Sequence, residues 1–323
     1  MLQMGIKGLN RFLRTACFKN IREISLYDLN GKTIVIDTSI YMYRFKRDDI
    51  LIEGMYQMIS QFKYYNITPI FIFDGKPPEE KKQILQQRSI LKQESTHRYY
   101  EVKKELEKCV TTNDSERLHC EIQDLRKKTV RISKKDTENV KLLLQLSGTS
   151  YYECSGESDA ICAYMVQSNQ AYACLSEDMD MFVYGTLRVL RYLSLLKSTV
   201  VIYDINGMLS TLNLTIKEFQ DICIVSGSDY NKSESIDFDL SLNMFIKYIE
   251  TECDEASSYS SWMIKKNHIK DETTFNRAIE LFDISNIKLI DSSFVKSREN
   301  TEGLKMFLEK FGFIFVNTKK TCK

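Results

Sequence analysis

Seven carboxylates stand beside apolar runs, in a pattern that points to metal chemistry. They are Asp37 in Thr33-Ile-Val-Ile-Asp37, Asp74 in Pro69-Ile-Phe-Ile-Phe-Asp74-Gly75, Glu157 and Asp159 in Gly156-Glu-Ser-Asp-Ala160, Asp178 and Asp180 in Ser176-Glu-Asp-Met-Asp180, and Asp229 in Gly227-Ser-Asp-Tyr230. A carboxylate at the carboxyl end of a buried strand is costly for packing alone, and it sits where open α/β sheets bind ligands. Gathered in one crevice, seven such groups repel one another, and divalent cations would neutralise them. An all-oxygen donor set suits Mg²⁺ or Mn²⁺ rather than zinc or copper. Two such ions about 4 Å apart activate a water and stabilise a leaving oxygen without a protein general base, which is what phosphodiester hydrolysis needs. For any one motif alone, a solvated turn acid or a helix cap is the simpler account.

The elements that must position these acids follow from the pattern around them. Apolar spacing at Ile6, Leu9, Phe12 and Leu13 predicts an amphipathic helix, followed by strands at 33–37 and 69–74 with a helix near 50–65 between them. Pro69, Pro77 and Pro78 are the only prolines, and no glycine lies between Gly75 and Gly148. That span, free of helix breakers, reads as helix with a turn near Thr111–Ser115. A short strand at 149–153 and a helix from Glu157, with Ser155 as its candidate cap, come next. Strands at 171–175, 187–192 and 199–203, a helix at 215–226, and helices near 241–251, 273–281 and 301–311 complete the reading. Strands alternating with helices predict an α/β fold with a mostly parallel central sheet and helices on both faces.

Composition narrows the class. At 323 residues and 43% apolar, the chain buries a large core as one or two domains. A net charge of +1 leaves any nucleic-acid contact to local clustering, and residues 79–145 supply it with 16 Lys/Arg against 12 Asp/Glu. Nine scattered cysteines with no C-x-x-C pair, and no signal peptide, fit a reduced intracellular setting, nucleus or cytoplasm. No apolar run reaches membrane-span length, so no membrane partner is expected. His97, His119 and His268 lie far apart and near no motif, which argues against a histidine zinc site or a histidine base.

In order and spacing, Met4-Gly-Ile-Lys-Gly-Leu-Asn10, Val35-Ile-Asp-Thr-Ser39, Phe73-Asp-Gly-Lys-Pro-Pro78, Ser155-Gly-Glu-Ser-Asp-Ala160, Ser176-Glu-Asp-Met-Asp180 and Ser226-Gly-Ser-Asp-Tyr230 resemble the flap structure-specific endonuclease family. These are Mg²⁺-dependent 5′-nucleases of replication and repair, related to the 3′-incision nuclease of nucleotide-excision repair. The resemblance implies a PIN-like 5′-nuclease fold with a helical arch and a C-terminal helical region. It implies one compact nuclease domain: an N-terminal nuclease region at 4–108, the arch or gateway and cap at 79–145, an internal nuclease region at 146–250, and a C-terminal helical region at 251–323. Asp37, Asp74, Glu157 and Asp159 would serve one Mg²⁺, and Asp178, Asp180 and Asp229 a second, with Mn²⁺ as a substitute. Lys81 and Arg88 align with the basic pair that stabilises the scissile phosphate. Gly5, Lys82, Lys127 and Lys128 align with or lie near nucleic-acid contacts. Tyr43 stands where the family stacks an aromatic on a base, and a core tyrosine is an equal alternative, with Tyr41 nearby.

Departures shape the expectation. Asp159 replaces the family's usual glutamate and is one methylene shorter. The basic span is longer than the family's by about eleven residues. Asn231–Leu240 has no glycine where the family carries a glycine-rich duplex-gripping hairpin, and Lys46–Asp49 is short where the family holds a one-nucleotide 3′ flap. No sliding-clamp peptide or basic tail is recognised, and the Ile/Asn/Lys/Tyr-rich composition is compatible with a viral member, acting then at a viral replication site. The reading is a structure-specific DNA endonuclease, acting as a monomer on DNA with 5′ single-stranded flaps or junctions, in replication, repair or recombination. Its rivals are a 5′→3′ exonuclease of the same superfamily and a catalytically silent DNA-binding scaffold.

Overall fold

The computed structural model describes residues 6–107, 112–231, 236–251, 258–287, 289 and 294–315. In chain order its elements are α1 (Leu9–Ala16), β1 (Ile21–Ser25), β2 (Thr33–Asp37), α2 (Thr38–Arg47), α3 (Leu51–Tyr64), β3 (Thr68–Phe73), α4 (Lys82–Glu107), α5 (Thr112–Thr129), α6 (Lys134–Leu146), β4 (Ser150–Glu153), α7 (Ser158–Gln167), β5 (Ala173–Leu175), α8 (Asp180–Val183), β6 (Arg188–Ser194), β7 (Thr199–Asp204), α9 (Ile205–Leu212), α10 (Ile216–Ser226), α11 (Phe238–Thr251), α12 (Tyr259–Lys265), α13 (Glu272–Phe282), β8 (Phe294–Val295) and α14 (Thr301–Glu309).

The strands form one eight-stranded sheet in the order β1-β7-β6-β5-β2-β3-β4-β8. Its centre, from β6 through β4, is parallel. Both edges are antiparallel: β1 and β7 on one side, β8 on the other. The chain runs from β2 outward to β3 and β4, then returns to lay β5 on the other flank of β2. That reversal makes the junction of β2 and β5 a topological switch point, where a crevice opens beyond the strand ends.

Strand periodicity divides the core. Ile34 and Ile36 of β2 face one layer with Met55, Ile59 and Phe62 of α3, Val140 and Leu144 of α6, and Phe307 of α14. Val35 faces the opposite layer with Leu9 and Leu13 of α1, Cys162 and Val166 of α7, Ile222 of α10, and Phe238 of α11. Helix α3 fits its place because Ile52, Met55, Ile59 and Phe62 recur at three- and four-residue spacing and all are buried. Helix α10 starts at a capping box in which Thr215 and Glu218 satisfy each other's backbone N–H.

Helices α4 and α5 stand as a pair with its own small seam. Val102 packs with Leu118 and Leu125, and Arg98 reaches Glu121 at 2.9 Å. The 26 residues of α4 span about 39 Å at helical rise. Of the turn expected near Thr111–Ser115, Thr111 lies outside the described residues and Thr112–Ser115 are helical: α5 begins at Thr112 and Asp114 lies in its first turn, where a carboxylate is favoured. Strand β1 escapes pattern reading because Arg22 and Glu23 break its alternation.

Candidate active site

Four adjacent parallel strands deliver six of the seven acids. Asp37 ends β2, and Asp74 follows β3 directly. Glu157 and Asp159 open α7 after β4. Asp178 and Asp180 follow β5. Asp229 comes from outside the sheet, two residues past Gly227, whose positive φ of 95° ends α10 and turns the chain.

The loops carrying Asp74 and Glu157 are laced together. Gly75 N–H donates to the Gly156 carbonyl at 2.6 Å, and Lys76 N–H to Ser155 at 3.0 Å. A Cβ at Gly75 would lie 2.1 Å from the Cys154 carbonyl oxygen, so only glycine permits this approach. Ser155 does not cap α7. The N-cap is Glu157, and the Ser158 N–H instead donates to Asp74 Oδ1 at 2.9 Å, a cap supplied from the neighbouring strand. Ser39 donates its hydroxyl to the other Asp74 oxygen. Asp37 accepts from Ser176 at 3.0 Å and Ser158 at 3.4 Å. Asp178 accepts the Asp180 N–H at 2.9 Å.

Electrostatics record how closely the acids gather. Burial, then Asp74 and Asp178, push the Asp37 carboxyl up to about 7. Burial likewise lifts Asp159 and Asp180 well above the carboxylate range, with Asp37 and Asp178 adding to the first and Asp178 and Asp229 to the second. Asp178 is raised by burial in spite of its backbone hydrogen bond and the nearby Lys81.

Two cations from the base of α4 enter this cluster. Lys81 is buried, with Nζ 2.6 Å from Glu157 Oε1 and 5.1 Å from the Tyr230 ring centre. Burial works against its charge, but Glu157, Asp159 and Asp180 outweigh burial and raise its pKa above the lysine range. Arg88 Nη2 lies 2.5 Å from Asp229 Oδ2.

The donor set fits hard divalent cations. Every candidate ligand is a carboxylate, and Asp159 Oδ1 and Asp180 Oδ1 are buried without a hydrogen-bond partner, a costly state that a cation would relieve. Among the described residues, no three acids are already drawn into ligand geometry. Glu157 and Asp229 lean instead on Lys81 and Arg88, so ion binding at either acid would compete with these pairs.

The outer candidates separate. Tyr43 is exposed, with Lys92 Nζ 5.8 Å from its ring centre, whereas Tyr41 is fully buried; the core tyrosine is Tyr41. Lys82 is exposed and pairs with Glu79 at 3.3 Å. Lys127 and Lys128 are exposed at the end of α5, Lys127 facing Asp124 at 3.7 Å. Neighbouring Arg126 pairs with Asp49, in the short connection between α2 and α3. Gly5 lies outside the described residues, as does part of the glycine-free stretch after Tyr230.

Sequence reasoning missed the supports of the site. Tyr230 donates its hydroxyl to Glu157. Arg191, buried on β6, donates to the Glu177 carbonyl at 2.9 Å and to Asn10 at 2.9 Å, tying α1 to the loop that carries Asp178. Tyr230 was visible as the last residue of its motif; nothing local marks Arg191.

Residues 4–95 match the XPG N-terminal domain and residues 148–229 the XPG I-region. Flap endonuclease 1-B of Oryza sativa subsp. indica is 32% identical over 246 residues, covering 70% of this chain. The matched stretch spans 57% of that protein's length, under two thirds. Flap endonuclease 1-A of Oryza sativa subsp. japonica is 29% identical over 327 residues, covering 95% of this chain and 82% of the relative. Among solved structures, the catalytic core of Rad2 in complex with DNA substrate aligns with a TM-score of 0.67 at 20% identity, covering 96% of each chain, a likeness of fold.

Proposed function

The chain belongs to the XPG and flap endonuclease family, its two matched regions carrying all seven acids together with Lys81 and Arg88, and from that membership we propose that it is a metal-dependent, structure-specific DNA nuclease that cuts 5′ flaps at single-strand/duplex junctions. One observation supports this above the others. Acids from four neighbouring strand ends and from Asp229 converge at the switch point of the sheet, with two cations among them, Lys81 from the turn that starts α4 and Arg88 from α4 itself.

In this reading Asp37, Asp74, Glu157, Asp159, Asp178, Asp180 and Asp229 hold two Mg²⁺ ions, with Mn²⁺ as a substitute. When bound, the ions supply an activated water and neutralise charge on the leaving oxygen. The histidines offer no alternative base, since His97, His119 and His268 are all exposed and outside the cluster. Lys81 and Arg88 hand over from Glu157 and Asp229 to the scissile phosphate and stabilise the charge it develops. Ser158 and Ser176 orient Asp37. Tyr43 stacks on a base of the single strand beside the cut. Products carry 5′-phosphate and 3′-hydroxyl ends.

The test is cleavage of end-labelled 5′-flap, nicked, blunt and single-stranded DNA in Mg²⁺, with EDTA and Asp180→Ala as controls. A single cut near the flap junction, lost in EDTA and in Asp180→Ala while DNA binding persists, is the expected result. Ladders from nicked or blunt duplex would replace the endonuclease with the 5′→3′ exonuclease. Binding without any metal-dependent cut would leave a scaffold.

A further inference from the structure

Helix α13 lies far along the chain from the acidic motifs, yet it reaches the cluster from two directions. Its Arg277 Nε sits 2.7 Å from Glu80 Oε1, the residue before Lys81 in the short turn that starts α4. The same guanidinium contacts Glu280 Oε2 at 2.8 Å, so its planar fork is held in place before it meets Glu80. At the C-terminal end of α13, buried Phe282 packs on Tyr230 with ring centres 5.1 Å apart and on Tyr184 at 4.8 Å. The two hydroxyls lie 3.2 Å apart, and Tyr230 donates onward to Glu157, the carboxylate that holds Lys81.

We propose that α13 is a brace for the active site, in which Arg277 and Phe282 are positioning residues: Arg277 sets the turn that carries Lys81, and Phe282 sets the tyrosine that orients Glu157. The proposal rests on the nuclease reading for its effect on rate, but not for its geometry. Lys81 and Glu157 come from elements separated by α4, α5 and α6 in sequence, and α13 touches the support of each. An exposed ion pair contributes little to global stability. The consequence of the Arg277–Glu80 contact is therefore local, in the placement of Lys81, and displacements of about an ångström at a reacting group change rates strongly.

The experiment uses the full chain with Arg277→Ala and the charge swap Glu80→Arg with Arg277→Glu and Glu280→Arg, which reverses both contacts of residue 277. Arg277 is half exposed, so folding is not at stake. Amide hydrogen exchange over residues 79–90 of metal-free protein reads the brace without any catalysis. Single-turnover cleavage and flap Kd, measured separately, read its effect on the reaction. Arg277→Ala is expected to speed exchange in that segment, to lower the single-turnover rate about tenfold and to leave flap Kd within about twofold. The charge swap is expected to restore both exchange and rate. Unchanged exchange in Arg277→Ala, faster exchange with an unchanged rate, or a swap that restores neither would overturn the brace. An inactive wild type would overturn the nuclease reading alone, because exchange still decides whether α13 holds the turn.

Discussion

Replacing Lys81 by methionine tests whether the cluster is held together by a cation that divalent metal can replace. Methionine keeps most of the buried stem, so the change reports charge rather than packing. Removing one partner of a buried ion pair costs about 3–5 kcal/mol. Here the two side chains retain 10% and 16% exposure, and Glu157 keeps the Tyr230 hydroxyl. The lower end of the range applies, and we expect a loss of about 3 kcal/mol in EDTA. In saturating Mg²⁺ the ions supply positive charge to the same acids, so the loss should shrink to about 1 kcal/mol. Urea unfolding of wild type and variant under both conditions gives the four numbers. Cleavage by the variant in Mg²⁺ should fall by a factor on the order of 10²–10³. An equal destabilisation with and without Mg²⁺ would refute the reasoning, since it would mean that metal does not reach the acids Lys81 neutralises. No destabilisation in EDTA would refute it from the other side.

Three further outcomes are expected. Asp180→Asn should stabilise the metal-free protein by about 1–2 kcal/mol in the same urea assay, because it removes a carboxyl whose ionised form is disfavoured by burial and then by Asp178 and Asp229, and should abolish cleavage; a less stable variant would contradict the crowding of acids. Tyr43→Ala should weaken binding of single-stranded 5′ arms by about 1–3 kcal/mol in fluorescence titrations while leaving blunt duplex binding unchanged, and equal losses on both would remove its stacking role. Gly75→Ala should cost about 2 kcal/mol or more and impair cleavage, because its Cβ collides with backbone rather than with a movable side chain; a variant as stable and as active as wild type would show that this loop is not held as described.

Much of the site is legible in the order of residues alone. The apolar runs ending in acids read as strands with ligands at their tips, and the structure places Asp37, Asp74, Glu157, Asp159, Asp178 and Asp180 beyond four neighbouring strand ends. These signals are local: burial on both faces demands unbroken apolar residues, and an acid at the end of such a run stands out. Tyr43 and Tyr41 are indistinguishable in sequence, because two aromatics two residues apart on one helix are told apart only by what packs against α2. Antiparallel β1 and β8 give no pattern, being a strand broken by charges and a two-residue edge.

Residue types and their order thus determined by themselves the α/β class and the family, and marked the candidate acids, since each depends on short stretches whose chemistry does not require a distant partner. Only the tertiary structure decided which groups hold those acids in place. Asp74 caps α7 from the next strand, Tyr230 holds Glu157, Arg191 ties α1 to the Asp178 loop, and Arg277 reaches Glu80 across 197 residues. Such contacts leave no periodicity in the chain, because they arise where separately folded segments meet and a side chain's partner is set by the packing of whole elements.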